Sequence, residues 1–194
     1  MGGILTLTGA SMSGKTELSK KLMKDETRFT RIVSHTTRRP RPTDAPGEYV
    51  YLSEKEFGEM LACGEFLWPR VVTLRGYSYQ TARASLETIL NPKNPKIGIM
   101  ILADVLKILS DYAGPERKIF HVFLVRPREK IMETILALPE AEKAAALARI
   151  NDGRDWETEM RSFGVKYTTL VNDRRIIDLI PPIYNLLGFN PPTA

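Results

Sequence analysis

The chain predicts an α/β domain in three layers, with a mostly parallel core sheet covered by helices on both faces. Three observations carry that expectation. Residues 4–8, 30–34, 96–102, 119–125 and 167–171 read as strands, and most of them are near-continuous apolar runs without polar alternation, as parallel strands buried on both sides are. Helical stretches fall between and after them, at 15–24, 104–111, 128–138, 140–156 and 174–180, and alternating strand and helix is the pattern of a parallel sheet. The first run also leads into a glycine-rich loop that opens directly onto a helix.

That loop is Gly9-Ala10-Ser11-Met12-Ser13-Gly14-Lys15-Thr16, which fits G-x-x-x-x-G-K-[ST] in the required strand–loop–helix setting. Gly9 and Gly14 let the backbone fold so that successive N–H groups, from Ser11 to Lys15, point at one anion. The first turn of the helix adds unpaired donors and the positive end of its dipole. Lys15 then reaches the outer phosphates and the Thr16 hydroxyl ligates Mg²⁺. The loop predicts a binder of nucleoside triphosphate, in the P-loop NTPase arrangement.

Residues 35–95 interrupt the rhythm. Pro40, Pro42, Pro46 and Gly47 precede short aromatic strands at 49–52 and 76–81, with a helix at 53–63 between them. Ser53 followed by Glu56 is a capping-box signature for that helix. The expected layout is a core of residues 1–34, 96–127 and 155–194, an inserted lobe at 35–95 and a small helical lid at 128–154. The alanine-rich run 141–148 suits a surface helix. Pro181-Pro182 must interrupt or restart a helix, and Asn190-Pro191-Pro192 reads as a frayed tail.

The 194 residues suffice for one domain with a full core. The net charge of +5 is modest, and much of it sits at Arg31, Arg38, Arg39 and Arg41. Such a cluster can bind nucleic acid or hold one small phosphorylated ligand; the absence of interleaved exposed aromatics disfavours the first. Cys63 is the single cysteine, so no internal disulfide forms and a reducing, cytoplasmic setting is expected. No apolar run is long enough to span a membrane. Met1-Gly2-Gly3-Ile4-Leu5-Thr6 satisfies a myristoylation pattern, but it leads straight into the first strand, where burial accounts for it. His35 and His121 have no metal-ligand neighbour in the sequence and read as packing residues.

After the second strand come Ser34-His35-Thr36-Thr37-Arg38-Arg39-Pro40-Arg41-Pro42, then Gly47-Glu48-Tyr49-Val50-Tyr51-Leu52-Ser53, Gly64-Glu65-Phe66-Leu67, Tyr79, Thr81 and Val171-Asn172-Asp173. In this order, and together with the P-loop, these segments resemble the guanylate kinases over residues 4 to 180. Arg38 and Arg41 offer planar forks suited to a phosphate dianion, and Ser34, Tyr49 and Tyr79 each add a hydroxyl. The resemblance implies that these five hold the acceptor's 5′-phosphate, that Thr81 touches its base, and that Asn172 lies near the donor base. It implies ATP-dependent transfer to GMP or dGMP with Mg²⁺, by a monomer or homodimer acting on small molecules. Nucleic acid and membrane are not expected partners.

Three departures mark the pattern. The family's second glutamate after Gly-Glu-Phe-Leu, which reads guanine, gives way to Trp68, an apolar or stacking wall. The family's Asp-x-Asp is Leu102-Ala103-Asp104, leaving Asp104 alone near the metal or acceptor, or as a helix cap. The lid positions that carry arginine in the family read Glu133, Thr134 and Leu138; Arg149 matches the last lid arginine, with Arg126, Arg128 and Arg154 as stand-ins on spacing alone. A pyrimidine or modified nucleotide, or a phosphorylated sugar, is therefore an alternative acceptor. A silent binding module is a further reading, though such modules typically have degraded P-loops.

Overall fold

The computed structural model describes residues 2–40, 44, 47, 49–68, 72–74, 77–101, 105–151 and 154–191. From β1 (Gly3–Thr8) the chain runs through α1 (Lys15–Leu22) to β2 (Phe29–Arg31). It then builds β3 (Ser34–Thr36), β4 (Tyr49–Tyr51), α2 (Glu54–Ala62), β5 (Val72–Leu74), β6 (Tyr77–Gln80) and α3 (Arg83–Leu90). It returns through β7 (Ile97–Ile101), α4 (Leu106–Ala113) and β8 (Lys118–Val125) to α5 (Arg128–Leu136) and α6 (Glu140–Ile150). Then follow α7 (Trp156–Ser162), β9 (Tyr167–Val171), a 3-10 turn (Ile176–Leu179) and α8 (Ile180–Leu187).

The central sheet has the order β2-β7-β1-β8-β9, and all its pairings are parallel. β1 lies in the middle and is buried along its whole length. Its alternate residues face two cores, as the strand period of two requires. Leu5 and Leu7 meet Leu18 and Leu22 of α1 and Ile183, Tyr184 and Leu187 of α8. Ile4 meets Leu86 and Ile89 of α3 and Leu109 of α4 on the other face. The expected three-layer α/β/α architecture is therefore present. On that second face Thr6 and Ser110 bond the two nitrogens of His121, each at 2.8 Å. Burial lowers the His121 pKa to about 4, so the ring is neutral and joins β1 to α4.

A second sheet, β4-β3-β6-β5, is mixed: β3 runs parallel to β4 and antiparallel to β6, and β5 is antiparallel to β6. The predicted capping box is formed, with Glu56 N donating to Ser53 Oγ at 3.2 Å and Ser53 N to Glu56 Oε2 at 2.8 Å.

Several predicted boundaries move. The strand expected at 30–34 divides, because Arg31 is the last residue paired to β7 while Ser34 already pairs with Tyr49 in the second sheet. The helix expected at 140–156 stops at Ile150, and a new one starts where Asp155 Oδ1 accepts from Thr158 N at 3.1 Å. The stretch expected as helix at 174–180 is a 3-10 turn, after which Pro181 and Pro182 occupy the first turn of α8, where a missing N–H costs nothing. Helix α3 was not anticipated, although Leu86, Ile89 and Leu90 stand at helical spacing. Its packing on β1 ties the end of the inserted stretch to the central core. Gly2 donates its N–H to Asn94 O at 2.6 Å, and a Cβ there would lie 2.2 Å from Asn91 O, so close backbone packing accounts for that glycine. No helix among the described residues is long and apolar enough to cross a membrane.

Candidate active site

Parallel strands place all their carboxyl ends on one edge, the usual location of a ligand in such a sheet. Here β1 ends in the glycine loop, β8 in Arg126 and β9 in Asn172. The loop is tight. Gly9 has φ 144° and Gly14 φ 102°; a Cβ at Gly9 would lie 2.2 Å from Leu124 O, and one at Gly14 2.6 Å from Asn172 Nδ2. Both glycines are thus demanded by backbone conformation and by space. Ser13 N donates to Ala10 O at 3.3 Å, closing the turn. Met12 takes φ 65° without being glycine, and its side chain packs against the cluster of Ile131, Ile135 and Ala146 contributed by α5 and α6.

Lys15 Nζ folds back onto the loop, donating to Gly9 O at 2.8 Å, Ala10 O at 2.6 Å and Ser13 Oγ at 3.4 Å. All three acceptors are neutral. Burial without a counter-charge lowers its pKa to about 8, because desolvation disfavours the charged form. Thr16 is exposed on the first turn of α1. Asn172 is buried, donates its backbone N–H to Val125 O at 2.7 Å, and donates Nδ2 to Ser13 O at 2.9 Å. Its observed part is to brace the loop from β9; the expected contact with the donor base is a separate matter, and the side chain borders a cavity of about 440 Å³ with Glu17, Lys21, Arg126 and Arg174.

The residues expected to hold the acceptor phosphate come together in the second sheet. Register places Ser34 beside Tyr49 and Thr36 opposite Tyr79. Arg38, 4% exposed, lies 5.0 Å from the Tyr49 ring centre, and the Tyr49 and Tyr79 rings meet edge-on at 6.2 Å. Thr36 Oγ1 accepts from Arg38 N at 3.1 Å and fixes the turn. Ser34, Arg38, Tyr49 and Tyr79 are thus assembled at one end of one sheet. Arg41 lies outside the described residues, as do Leu102, Ala103 and Asp104.

One participant was missed. Asp44 Oδ2 and Oδ1 accept from Arg38 Nη1 and Nη2 at 2.9 and 3.0 Å, and Tyr51 Oη donates to the same carboxylate at 2.7 Å. This bidentate partner raises the Arg38 pKa above its ordinary value. The carboxylate occupies the guanidinium fork that the sequence pattern assigns to a phosphate. Its signal in the sequence was an acid six residues beyond Arg38 in an otherwise basic stretch.

Trp68 departs from expectation. It is 4% exposed and packs with Ile4, Ile32, Leu86 and Met100, and its carbonyl accepts from Gln80 Nε2 at 3.2 Å. A large apolar ring gains more from this core than from an open pocket wall, so the indole is not displayed for stacking in this structure. Thr81 is buried as well, and its carbonyl accepts from Leu67 N at 2.9 Å. Arg149 is exposed and its Nε donates to Ala145 O of its own helix at 3.2 Å. Arg154 is paired with Glu159 and stacked over Trp156 at 4.0 Å. Arg126 touches the P-loop, with Nη1 on Met12 O at 3.3 Å.

A family model described as guanylate kinase matches residues 2–176. Among curated proteins, the chain is 30% identical over 143 residues to the guanylate kinase of Wolbachia pipientis wMel, covering 73% of this chain and 63% of that protein. It is 31% identical to the guanylate kinase of Wolbachia sp. subsp. Brugia malayi (strain TRS), covering 73% and 65%. It therefore spans just under two thirds of the length of these two relatives. The guanylate kinase of Sphingopyxis alaskensis is 30% identical over 183 residues, covering 89% and 76%. The crystal structure of guanylate kinase from Anaplasma phagocytophilum superposes with a TM-score of 0.64 at 20% identity, covering 96% of this chain and 85% of that one, a likeness of fold.

Proposed function

The chain belongs to the guanylate kinase family, and from that premise we propose that it transfers the γ-phosphate of ATP to GMP or dGMP, yielding ADP and the nucleoside diphosphate. The observation that carries this reading is the P-loop with a desolvated Lys15, its amides braced by Asn172.

Phosphoryl transfer asks the protein for position and charge rather than covalent chemistry. In the proposed reaction an oxygen of the acceptor's 5′-phosphate attacks the γ-phosphorus. The bond from the γ-phosphorus to the β–γ bridging oxygen breaks, and the electron pair leaves with ADP. Lys15 exchanges neutral carbonyls for phosphate oxygens, and the incoming charge restores its proton at pH values near 8. Arg38, with Ser34, Tyr49 and Tyr79, holds the acceptor phosphate, which takes the place of the Asp44 carboxylate on the guanidinium fork. Arg41 and Asp104 belong to the same proposal through the family pattern, Arg149 through the lid.

The donor set suits Mg²⁺. Thr16 supplies one hard oxygen, and no group of three His, Cys, Asp or Glu lies together among the described residues, so the ion's other ligands would be phosphate oxygens and water. When bound, Mg²⁺ neutralises charge on the β- and γ-phosphates.

The test is ADP release with ATP and Mg²⁺ against every common ribo- and deoxynucleoside monophosphate, with Lys15→Ala beside the wild type. Fastest turnover with GMP or dGMP, lost by at least about 100-fold in Lys15→Ala, is the expected result. A Lys15-independent rate, or preference for another base, would overturn it.

A further inference from the structure

We infer that Arg126 is the arginine through which this chain contacts the phosphates of the donor triphosphate. The inference deepens the kinase reading and rests on its donor site. Arg126 directly follows β8, whose neighbour β1 runs into the P-loop. Its guanidinium bridges the loop and the lid, with Nη1 on Met12 O at 3.3 Å and Nη2 on Thr134 Oγ1 at 2.9 Å.

Both partners are neutral oxygens, and among the described residues no carboxylate pairs with Arg126. Other arginines here are matched: Arg38 with Asp44, Arg117 with Glu87, Arg154 with Glu159 and Arg175 with Asp178. Among the described residues this half-buried guanidinium bonds neutral groups alone, so its charge is uncompensated there and two of its five N–H donors are used. Arg126 also lines the cavity of about 440 Å³, together with Glu17, Lys21, Asn172 and Arg174. The 3.3 Å bond to Met12 is long enough to yield readily to a phosphate oxygen.

The other arginines near the lid lack this placement. Arg154 is committed to Glu159, Arg149 bonds its own helix, and Arg128 is exposed. Thr134 matters in the same way: its hydroxyl donates to Lys130 O at 3.1 Å and so presents its lone pairs to Arg126. The lid helix thereby holds an arginine it does not itself carry. In transfer, the fork would neutralise non-bridging oxygens while the Met12 side chain keeps α5 and α6 against the loop.

The experiment compares wild type, Arg126→Ala, Arg126→Lys and Thr134→Val. It reads ATP affinity by displacement of a fluorescent ATP analogue with Mg²⁺, together with kcat, KM for ATP, KM for GMP and Tm. The expected result is a loss of about 10- to 100-fold in ATP affinity or kcat in Arg126→Ala. Partial recovery in Arg126→Lys, an unchanged KM for GMP and only a small change in Thr134→Val complete that pattern. Unaltered ATP affinity and kcat in Arg126→Ala overturns the assignment. So does a loss reproduced in full by Thr134→Val, which would mean that the arginine serves structure alone. Were wild type to phosphorylate no acceptor, the kinase reading would fail, and ATP affinity alone would still decide the role of Arg126.

Discussion

Lys15 is a partly buried cation and Arg38 a buried one, and the fold treats them oppositely. Lys15 has only carbonyls and a hydroxyl as partners, whereas Arg38 has a full carboxylate in bidentate geometry. In the proposed function the first then meets an anion directly, and the second exchanges one anion for another. That exchange is measurable. Asp44→Asn removes the charge from a pair whose side chains are 4% and 13% exposed, and breaking a buried pair costs up to about 3 kcal/mol here. The expected outcome is a lowered Tm that saturating GMP restores in large part, because its phosphate supplies the missing charge. Thermal unfolding of both proteins with and without GMP checks it. An equal loss in Tm under both conditions would show that Asp44 does not stand in the phosphate's place.

At the scale of elements, the P-loop is fastened to α5 and α6 rather than merely lying near them. Met12 accepts a left-handed backbone that costs about 1 kcal/mol or more for a residue with a Cβ, and its side chain recovers that cost among Ile131, Ile135 and Ala146. Met12→Gly relieves the strain and deletes the contact, so the two effects offset and the Tm changes little. Helices α5 and α6, however, lose their anchor. Hydrogen exchange in α5 and α6 should rise by about tenfold in Met12→Gly, while exchange in β1 and β8 stays the same. Unaltered protection of α5 and α6 would refute the coupling.

The layers of the whole molecule are joined by a buried polar contact as well as by apolar packing. His121 sits between Thr6 on the central strand and Ser110 on α4, and its pKa is lowered from 6.5 to about 4 by burial. The unfolded chain then binds more protons than the folded one between those values, so stability rises with pH from about 4 to 6.5 and falls as the medium is acidified. The shift caps this contribution at about 3 kcal/mol. Urea unfolding at pH 4.5 and pH 7 should show a smaller pH-dependent loss for His121→Gln than for wild type. Identical losses would place the acid sensitivity elsewhere.

What the sequence determined by itself was local or strongly patterned. The loop from Gly9 to Thr16 is contiguous, and steric and hydrogen-bonding demands act within eight residues, so strand, loop and helix could be read together. Buried parallel strands announced themselves by unbroken apolar runs, and Ser53 with Glu56 announced a helix start. What only the tertiary structure decided depends on residues far apart in the chain. Trp68 was an open question in the sequence because a large ring serves a pocket or a core equally well; contact with Ile4 and Met100 put it in the core. Asn172 gained its bracing contact from Ser13, across 159 positions. Arg126 meets Met12 across 114, a separation that no spacing rule spans. Charge compensation is likewise a three-dimensional property, since one arginine's partner is known only once every carboxylate has been placed.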